Sequence, residues 1–523
     1  MPSATQIGEA VDAALKARQS SGKNGIPTRM VVATNRGLNK RSESREETME
    51  KAEIGLIGLG TMGSNLALNI AEKGHRIAVF NRTAARTDAF VENAGALNNM
   101  VVPCYSLEEL AAAIRPPRPI IIMVLAGKPV DEQIAALRGV LSANDIVIDA
   151  GNANFRDTMR RFSELSDSGL TFIGMGVSGG EEGARHGPSI MVGGTEQSWK
   201  RVEKVLTAIS AKFRDEPCAA WLGTDGAGHF VKTIHNGIEY ADMQMIAEIY
   251  GILRDGLSMG SKEIAQVFAG WNKGRLNSYL IEITAGVLAA DDPKTGKPVV
   301  DLILDRAGQK GTGKWSVIEA QQLGIPATAI EAAVVARVLS SIKDERLAAE
   351  KAYGKGGVTR ISGDKDALLG DLELALFAGK ISAYAQGFAV MSGASKEFNW
   401  NLPMPTIAKI WRAGCIIRSQ LLDTMAEAFG TGGAATNLLM APAFIAMMQE
   451  AHPSLRRIVA RASEAGSPVP ALSSALAYFD SYRQGRGTSN LIQAQRDFFG
   501  AHGFERIDGP GAFHGPWGSG AAG

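Results

Sequence analysis

Short, continuous apolar runs alternate with amphipathic stretches over the part of the chain that begins near residue 53. Such runs are typical of parallel strands buried on both faces, and apolar residues at three- and four-residue spacing are typical of helices. The predicted strands are Glu53–Ile57, His75–Phe80, Ile120–Leu125, Asp145–Asp149, Thr171–Gly174 and Ser189–Val192. We therefore predict an α/β domain of Rossmann type, with a doubly wound sheet, over residues 53–225.

From residue 226 onwards these runs give way to long amphipathic segments. They are Phe230–Leu257, Ala327–Lys351, Leu368–Ser392 and Ala471–Gln484. The pattern predicts a large all-α domain over residues 226–484. Residues 485–523 are rich in glycine with little periodicity, so we expect a C-terminal tail that is either disordered or ordered by lying on another surface.

Residues 1–52 precede the first predicted strand and are expected to form a disordered leader. No apolar run follows the basic residues of this segment, and it also contains five acidic residues before position 49. These features disfavour a secretory signal and a transit peptide. A start codon assigned too early, with Met49 as the natural one, is the alternative to a leader.

The overall composition restricts the classes of function. The 55 basic and 54 acidic residues give the 523-residue chain a net charge of +1, so we expect no binding to nucleic acid or to a membrane surface. The most apolar stretch, 438–448, is too short to span a bilayer. Cys104, Cys218 and Cys415 lie far apart, which predicts neither disulfides nor a metal site and suits the cytoplasm.

A glycine-rich turn follows the first predicted strand. Gly58, Gly60 and Gly63 form a GxGxxG pattern between a strand and a helix. The first glycine allows a tight turn, the second lets the backbone approach a pyrophosphate, and the third lets helix and strand pack closely. The helix N-terminus would then attract the anion. In this context the pattern predicts a dinucleotide site.

The residues after the second predicted strand indicate which dinucleotide. An NAD site would have Asp or Glu here to bind the ribose hydroxyl, whereas this chain has Asn81 and Arg82. A guanidinium binds a 2′-phosphate that a carboxylate would repel. We therefore expect the cofactor to be NADP.

A second glycine-rich segment, 308–314, resembles the opening of a P-loop. Trp315 occupies the position where a Ser or Thr hydroxyl would reach magnesium, so nucleotide hydrolysis is not expected. The glycine amides, with Lys310 and Thr312, are still suited to an anion such as a substrate phosphate.

The segment Phe230–Met243 predicts a helix with an uncommon polar face. Lys232, His235, Asn236 and Glu239 fall at i, i+3, i+4 and i+7 and therefore share one side of the helix. A solvated face is the alternative, but such faces usually repeat Lys, Glu and Gln. With a dinucleotide site upstream, the row indicates an active-site wall.

Two further turns follow predicted strands. Asn152 comes after the fourth strand, and Ser178, Gly179 and Gly180 come after a later one. Ligands of doubly wound sheets collect at such strand ends, and a hydroxyl with glycine amides can hold a carboxylate. Spacing alone does not distinguish these sites from ordinary turns.

From about Met49 to the C-terminus the chain resembles the decarboxylating 6-phosphogluconate dehydrogenases. The matching motifs are the glycine-rich turn and the segments 81–83, 149–152, 177–183, 232–240, 307–315 and 494–502. The resemblance implies oxidation and decarboxylation of 6-phosphogluconate to ribulose 5-phosphate and carbon dioxide, with reduction of NADP, in the pentose phosphate pathway.

The resemblance also implies roles for individual residues, with Lys232 as general base and Glu239 as general acid. The implied cofactor contacts are Gly58, Leu59, Gly60, Thr61, Met62, Gly63, Asn81, Arg82, Thr83, Leu125, Ala126, Gly127 and Asn152. The implied substrate contacts are Asn152, Ser178, Gly179, Gly180, His235, Asn236, Tyr240, Lys310, Thr312 and Arg337, joined by Arg496 and His502 from the tail of the other subunit of a homodimer.

The chain departs from the family pattern at a few positions, and two other functions compete. Leu125 replaces a usual lysine, Ala150 a glycine and Phe499 a tyrosine. A 3-hydroxyisobutyrate-type dehydrogenase would share the dinucleotide site and the lysine, but it would be shorter and lack the tail. A non-enzymatic NADPH-binding protein would have little reason to retain both Lys232 and Glu239.

Overall fold

An eight-stranded sheet forms the centre of the N-terminal half. The computed structural model describes residues 50–309, 311–354, 356–430 and 437–517, so the expected disorder of residues 1–49 lies outside the described residues. Ala52, which the sequence assigned to the leader, is buried and pairs with Ile114. The strands are β1 Ile54–Ile57, β2 Ile77–Phe80, β3 Val101–Cys104, β4 Pro119–Ile122, β5 Ile146–Asp149, β6 Thr171–Val177, β7 Ile190–Gly193, β8 Lys212–Phe213, β9 Glu216–Pro217 and β10 Ala219–Gly223, of which β8 and β9 form a separate hairpin.

The order of the strands is that of a dinucleotide-binding fold. It runs β10-β7-β6-β5-β4-β1-β2-β3 across the sheet. From β3 to β6 all neighbours are parallel, whereas β7 is antiparallel to β6. The order 3-2-1-4-5-6 reverses the direction of winding between β1 and β4, where doubly wound sheets bind ligands. The predicted Rossmann-type fold is confirmed.

Helices cover both faces of this sheet. They are α1 Thr61–Glu72, α2 Ala84–Asn93, α3 Leu107–Ala113, α4 Lys128–Leu137, α5 Phe155–Ser166, α6 Gly180–His186 and α7 Glu196–Ile209. Leu56 and Leu66 of α1 belong to the core on one face, whereas Ile57, the neighbour of Leu56, and Val130 of α4 belong to the core on the other. Burial on both faces explains why the strands are continuously apolar.

The second half is helical, as predicted. Its helices are α8 Ala227–Gly251, α9 Ser261–Trp271, α10 Tyr279–Ala289, α11 Thr312–Gln322, α12 Thr328–Ser341, α13 Lys343–Tyr353, α14 Lys365–Glu397, α15 Met404–Ile410, α16 Leu421–Gly430, α17 Pro442–Glu464, α18 Pro470–Tyr482 and α19 Ser489–Gly500. The predicted single segment Ala327–Lys351 is two helices that divide at Ile342. After α19, β11 Phe504–Glu505 pairs with β12 Ala512–Phe513.

Helix α8 lies directly against the sheet because glycines remove the side chains that would separate them. A Cβ at Gly228 would lie 2.5 Å from the carbonyl oxygen of Gly174 in β6. A Cβ at Gly176 would lie 2.5 Å from the Cβ of Lys232. Close packing at these glycines therefore places Lys232 against β6, near the carboxyl end of the sheet.

Helix α14 is the one helix among the described residues that is long and apolar enough to cross a membrane. However, 89% of its most apolar window is buried inside the protein. It packs against α8 and α17, which is the environment of a core helix.

A buried carboxyl group joins α8 to α18. Glu248 accepts hydrogen bonds from the backbone N–H groups of Ala471 and Leu472, at 2.8 and 2.9 Å, in the first turn of α18. It therefore satisfies two of the donors that a helix N-terminus leaves free. Burial raises the pKa of Glu248 to about 7.

We expect the stability contributed by Glu248 to fall as pH rises. Because the pKa in the folded state lies above the ordinary value of 4.5, folding favours the protonated carboxyl, and this contribution is lost as pH rises through about 7. Glu248→Gln loses an acceptor but cannot ionise. The wild-type advantage in Tm over Glu248→Gln should therefore shrink by a few degrees between about pH 5 and pH 8. Exposed Glu464→Gln controls for the lost charge, and a pH-independent difference would contradict the raised pKa.

Candidate active site

The glycine-rich turn follows β1, at the point in the sheet where the direction of winding reverses between β1 and β4. Gly58 has φ +103°, and a Cβ there would lie 2.4 Å from the carbonyl oxygen of Met123, which follows β4. A Cβ at Gly63 would lie 1.9 Å from the carbonyl oxygen of Gly58. At Gly60, by contrast, a Cβ would meet nothing within 4 Å. The turn therefore leaves an open backbone surface at the start of α1, which fits a pyrophosphate.

The loop after β2 is tied to this turn. The backbone N–H of Leu59 donates to Oδ1 of Asn81 at 3.0 Å, and the Asn81 amide donates to the carbonyl of Thr83 at 3.2 Å. Arg82 is exposed on this loop. The first acidic residue after β2 is Asp88, whose carboxylate accepts from the hydroxyl of Tyr105 at 2.7 Å. The loop thus presents a cation and no ribose-binding carboxylate.

The remaining predicted cofactor contacts differ in exposure. The side chain of Leu59 belongs to the core, so only its backbone faces the turn. Met62 is half-buried, whereas Thr61 and Ala126 are exposed. Leu125 is 82% exposed.

One buried guanidinium joins the loops after β4 and β5. Arg161 of α5 donates to the carbonyl of Gly127 at 3.0 Å, to Asp149 at 3.3 Å and to Asp131 at 2.8 Å. Asp149 also accepts from the N–H of Gly151 at 3.0 Å. These hydrogen bonds of Arg161 and Asp149 thus fix both loops, including the turn that carries exposed Asn152. The sequence does not single out Arg161, which reads as one of several basic residues on an amphipathic helix.

The predicted polar face of α8 is a single hydrogen-bonded group. Nζ of Lys232 lies 2.7 Å from Oδ1 of Asn236 and 3.3 Å from the hydroxyl of Ser178. Lys232 is only 6% exposed, and this burial lowers the pKa of its amine. The residue is therefore suited to act as a neutral base.

The imidazole of His235 contacts the same two side chains as Lys232, those of Ser178 and Asn236. Its Nε2 lies 3.3 Å from the hydroxyl of Ser178, and its Nδ1 lies 3.1 Å from Oδ1 of Asn236. Since Oδ1 can only accept, Nδ1 carries the proton, and Ser178 donates to Nε2. Burial and the neighbouring Lys232 hold the pKa of His235 well below its usual range, so the imidazole is neutral.

Glu239 lies two turns beyond Lys232 on α8. Its carboxylate is 4.0 Å from Nδ1 of His235, and its side chain is 15% exposed. Burial raises the pKa of Glu239, although Lys232 and Arg337 oppose the shift. An amine with a lowered pKa and a carboxyl with a raised one are the usual pair for base and acid catalysis.

The candidate site has a positively charged end beyond Glu239. The Arg337 guanidinium sits 3.6 Å from the centre of the Tyr240 ring. A Cβ at Gly313 would lie 2.5 Å from the same ring, which places the first turn of α11 against it. Thr312, the first residue of α11, accepts at its hydroxyl from Nδ2 of Asn236 at 2.9 Å. These groups and the helix N-terminus suit a phosphate. Lys310 lies outside the described residues.

The turn after β6 rests on a loop of the helical half that the sequence gives no means to identify. A Cβ at Gly179, which has φ +97°, would lie 2.6 Å from the carbonyl oxygen of Gly414. The Gly414 carbonyl also accepts from the N–H of Ser189 at 2.8 Å. Trp411 packs edge-on against His235, with 5.4 Å between ring centres. This loop therefore supports both Ser178–Gly180 and the imidazole.

Two predicted substrate contacts in the tail form no described hydrogen bond with the side chains around Lys232. Arg496 and His502 are exposed on and after α19. Within the described residues, the hydrogen bonds of residues 489–517 go to one another and to Thr488. The structure of one chain therefore leaves the tail apart from Lys232 and Glu239.

A dinucleotide turn in a Rossmann-type sheet, together with a buried amine and a buried carboxyl on a helix packed against the same sheet, is typical of a nicotinamide-dependent dehydrogenase of hydroxy acids. Residues 53–223 match the model of the NAD binding domain of 6-phosphogluconate dehydrogenase, and residues 228–517 match that of its C-terminal domain. The chain therefore belongs to the 6-phosphogluconate dehydrogenase family.

Individual relatives agree with this assignment. The NADP(+)-dependent, decarboxylating enzyme of Bacillus subtilis is 49% identical over 90% of this chain and 100% of its own length. An NAD(+)-dependent one from the same organism is 47% identical over 89% and 99%. The structure of Plasmodium falciparum 6-phosphogluconate dehydrogenase, studied with NADP+ and with 6-phosphogluconate, matches with a TM-score of 0.86 and 41% identity, over 89% of this chain and 100% of that one.

We expect Arg161→Lys to weaken NADPH binding. One amine cannot reach Gly127, Asp149 and Asp131 together, so the two loops would lose their link while the buried charge is kept. Affinity measured by NADPH fluorescence should fall about tenfold or more. Arg160→Lys is the matched control, because Arg160 binds the same Asp131 at 3.0 Å from an exposed position. Equal effects of the two substitutions would show that Arg161 does not organise the loops.

Proposed function

We propose that this chain catalyses the NADP-dependent oxidative decarboxylation of 6-phosphogluconate to ribulose 5-phosphate and carbon dioxide, in the cytoplasm, as a step of the pentose phosphate pathway. The observation that carries the proposal is the pairing of buried Lys232, with a lowered pKa, and buried Glu239, with a raised one, on one face of α8. The family of the chain and the names of its relatives support the same reaction.

Residues 53–225 would hold the cofactor, with the pyrophosphate at Gly58–Gly63 and the 2′-phosphate at Arg82. When bound there, the cofactor would supply the hydride acceptor for oxidation of the substrate alcohol. Asn81 and Thr83, the loop 125–127 and Asn152 would line the rest of the site. Because Leu125 replaces the usual lysine, Arg82 would carry more of the charge recognition.

Residues 226–484 would hold most of the substrate. Asn152, Ser178, Gly179 and Gly180, together with His235 and Asn236, would surround the carboxylate and hydroxyls. Tyr240, Lys310, Thr312 and Arg337 would bind the phosphate, since a guanidinium and a helix N-terminus both favour an anion.

Lys232 starts the reaction by removing the proton of the carbon-3 hydroxyl as the hydride leaves carbon 3. Its burial against β6 lowers the pKa of the amine and so favours the neutral form that this step needs. The product is a 3-keto acid with its carboxylate β to the new carbonyl, and Lys232 is now an ammonium.

The same ammonium then assists decarboxylation. The bond between carbon 1 and carbon 2 breaks, carbon dioxide leaves, and the electron pair moves into the enediolate, whose oxygen the ammonium stabilises and protonates. Protonated Glu239 gives its proton to the carbon that lost the carboxylate, while neutral Lys232 takes back the proton of the enediol hydroxyl that becomes the ketone. This completes ribulose 5-phosphate.

The active site would be completed by a homodimer. Arg496 and His502 are exposed in one chain and have no described partner in its own site. A tail that crosses to the second subunit would bring both residues to the phosphate end of the partner's site.

Lys232→Met should abolish the reaction without removing cofactor binding. Purified protein with 6-phosphogluconate and NADP is expected to produce NADPH and carbon dioxide in equal amounts. Lys232→Met should lower kcat by about 10²–10⁴-fold, since it removes the general base, while NADPH affinity stays within a few-fold. Exposed Lys204→Met is the control. NADPH formed without carbon dioxide would exclude the decarboxylase, and high turnover in Lys232→Met would exclude the assigned base.

Arg82→Ala should lower the preference for NADP over NAD. The substitution removes the charged partner of the 2′-phosphate, which NAD lacks. The value of kcat/KM with NADP should fall about 10–100-fold, while that with NAD changes little and serves as the internal control. An equal loss with both cofactors would place Arg82 away from the 2′-phosphate.

A further inference from the structure

The tail folds around one carboxylate. Asp497 is 3% exposed and is the one buried residue of α19. Its two oxygens accept from the backbone N–H groups of Gly503 (2.9 Å) and Gly515 (2.8 Å) and from the rings of His514 (2.7 Å) and Trp517 (2.6 Å). A single side chain thus ties α19 to the segment after it.

The two predicted ligands of the tail lie immediately beside this carboxylate. Ile492, Arg496 and Phe499 fall at i, i+4 and i+7, so they share one side of α19, and all three are exposed. The ring of His502 lies edge-on to Phe499, with 6.0 Å between ring centres. Gly500 leaves room for this, because a Cβ there would lie 2.7 Å from Nε2 of His502. Arg496 and His502 therefore flank one exposed, partly apolar face.

We propose that Asp497 is a positioning residue that holds the tail as a preformed unit, so that Arg496 and His502 enter the partner subunit's phosphate site together. The proposal rests on the transfer of the tail between subunits described above. Asp497 itself stays on the inner side of the unit and touches no substrate.

A preformed tail is expected to bind more tightly, because it has already lost its conformational entropy when the chain folds. A flexible segment that becomes ordered on binding loses conformational entropy, and this loss weakens the affinity. Phe499 is 68% and Ile492 57% exposed in the single chain, which leaves an apolar surface ready to be buried. The hydrogen bonds also lower the pKa of Asp497, so the carboxylate stays ionised throughout the neutral range.

The test compares Asp497→Asn with Asp508→Asn. The amide keeps the shape of the carboxylate but places an NH2 group against N–H donors, so the four bonds cannot all form. We expect the KM for 6-phosphogluconate to rise about 10–100-fold, with kcat at saturating sugar acid and the KM for NADP changed only a few-fold. Asp508 is exposed in the same tail and bonds Arg506 at 2.7 Å, and its substitution should leave all three constants unchanged. The rise should be the same from about pH 6 to pH 9, because Asp497 does not titrate there.

A hybrid dimer then shows where the tail acts. Two differently tagged chains, one with Asp497→Asn and one with Lys232→Met, are co-expressed and the hybrid is purified by both tags. If the tail crosses, one site of the hybrid combines an intact body with an intact tail. The hybrid should then show the wild-type KM and about half of the wild-type kcat per dimer.

The outcomes separate the two proposals. An unchanged KM in Asp497→Asn, with a raised KM in Arg496→Ala, would overturn the role of Asp497 and leave the tail as a ligand. A raised KM without recovery in the hybrid would overturn the transfer between subunits, and with it this proposal. A fall in Tm with equal losses in every kinetic constant would show that Asp497 is merely structural.

Discussion

The close approach of α8 to the sheet is the constraint on which the site depends. Because Gly174, Gly176 and Gly228 have no Cβ, the helix lies against β6 with almost no gap. The amine of Lys232 is thereby taken out of water, and desolvation is the largest cause of its lowered pKa. The same helix places Asn236, Glu239 and Tyr240 in a fixed order. A backbone packing feature thus determines both the burial of the proposed base and the order in which the proposed substrate contacts follow it along α8.

Much of the fold follows from hydrophobic patterns, and the failures have physical causes. The strands found in advance, such as β1 and β5, are buried on both faces and therefore apolar throughout. Strand β3 was missed because it is an edge strand with Pro103 and an exposed face. Helix α19 was missed because its apolar residues face solvent in the single chain and its inner side is organised by a carboxylate. Apolar periodicity follows burial, so it does not reveal a helix whose buried side is polar and whose apolar residues are exposed in the single chain.

The residues of the candidate site also divide into those that the sequence pattern identifies and those that it does not. Residues that belong to one helix face, such as Lys232 and Glu239, could be grouped from their spacing alone. Arg161, Trp411 and Gly414 could not, because each acts on a loop far away in sequence and has no distinctive neighbours. Arg161 is buried because two carboxylates from separate elements meet there, and such a meeting exists only after the chain has folded.

The separation of the proposed base and the proposed acid along α8 is as important as their burial. In direct contact, a buried amine and a buried carboxyl group would exchange a proton and form an ion pair, which is neither a base nor an acid. Seven residues of helix keep Lys232 and Glu239 about 10 Å apart along the axis. Between them lie His235 and Asn236. The imidazole of His235 is uncharged because its pKa is low, and the amide of Asn236 carries no charge. Each group still acts on the pKa of the other across this distance, but desolvation is the largest cause of both shifts, so burial favours the neutral amine and the protonated carboxyl at the same time. Burial on this helix therefore shifts both groups towards the protonation states that the proposed reaction requires.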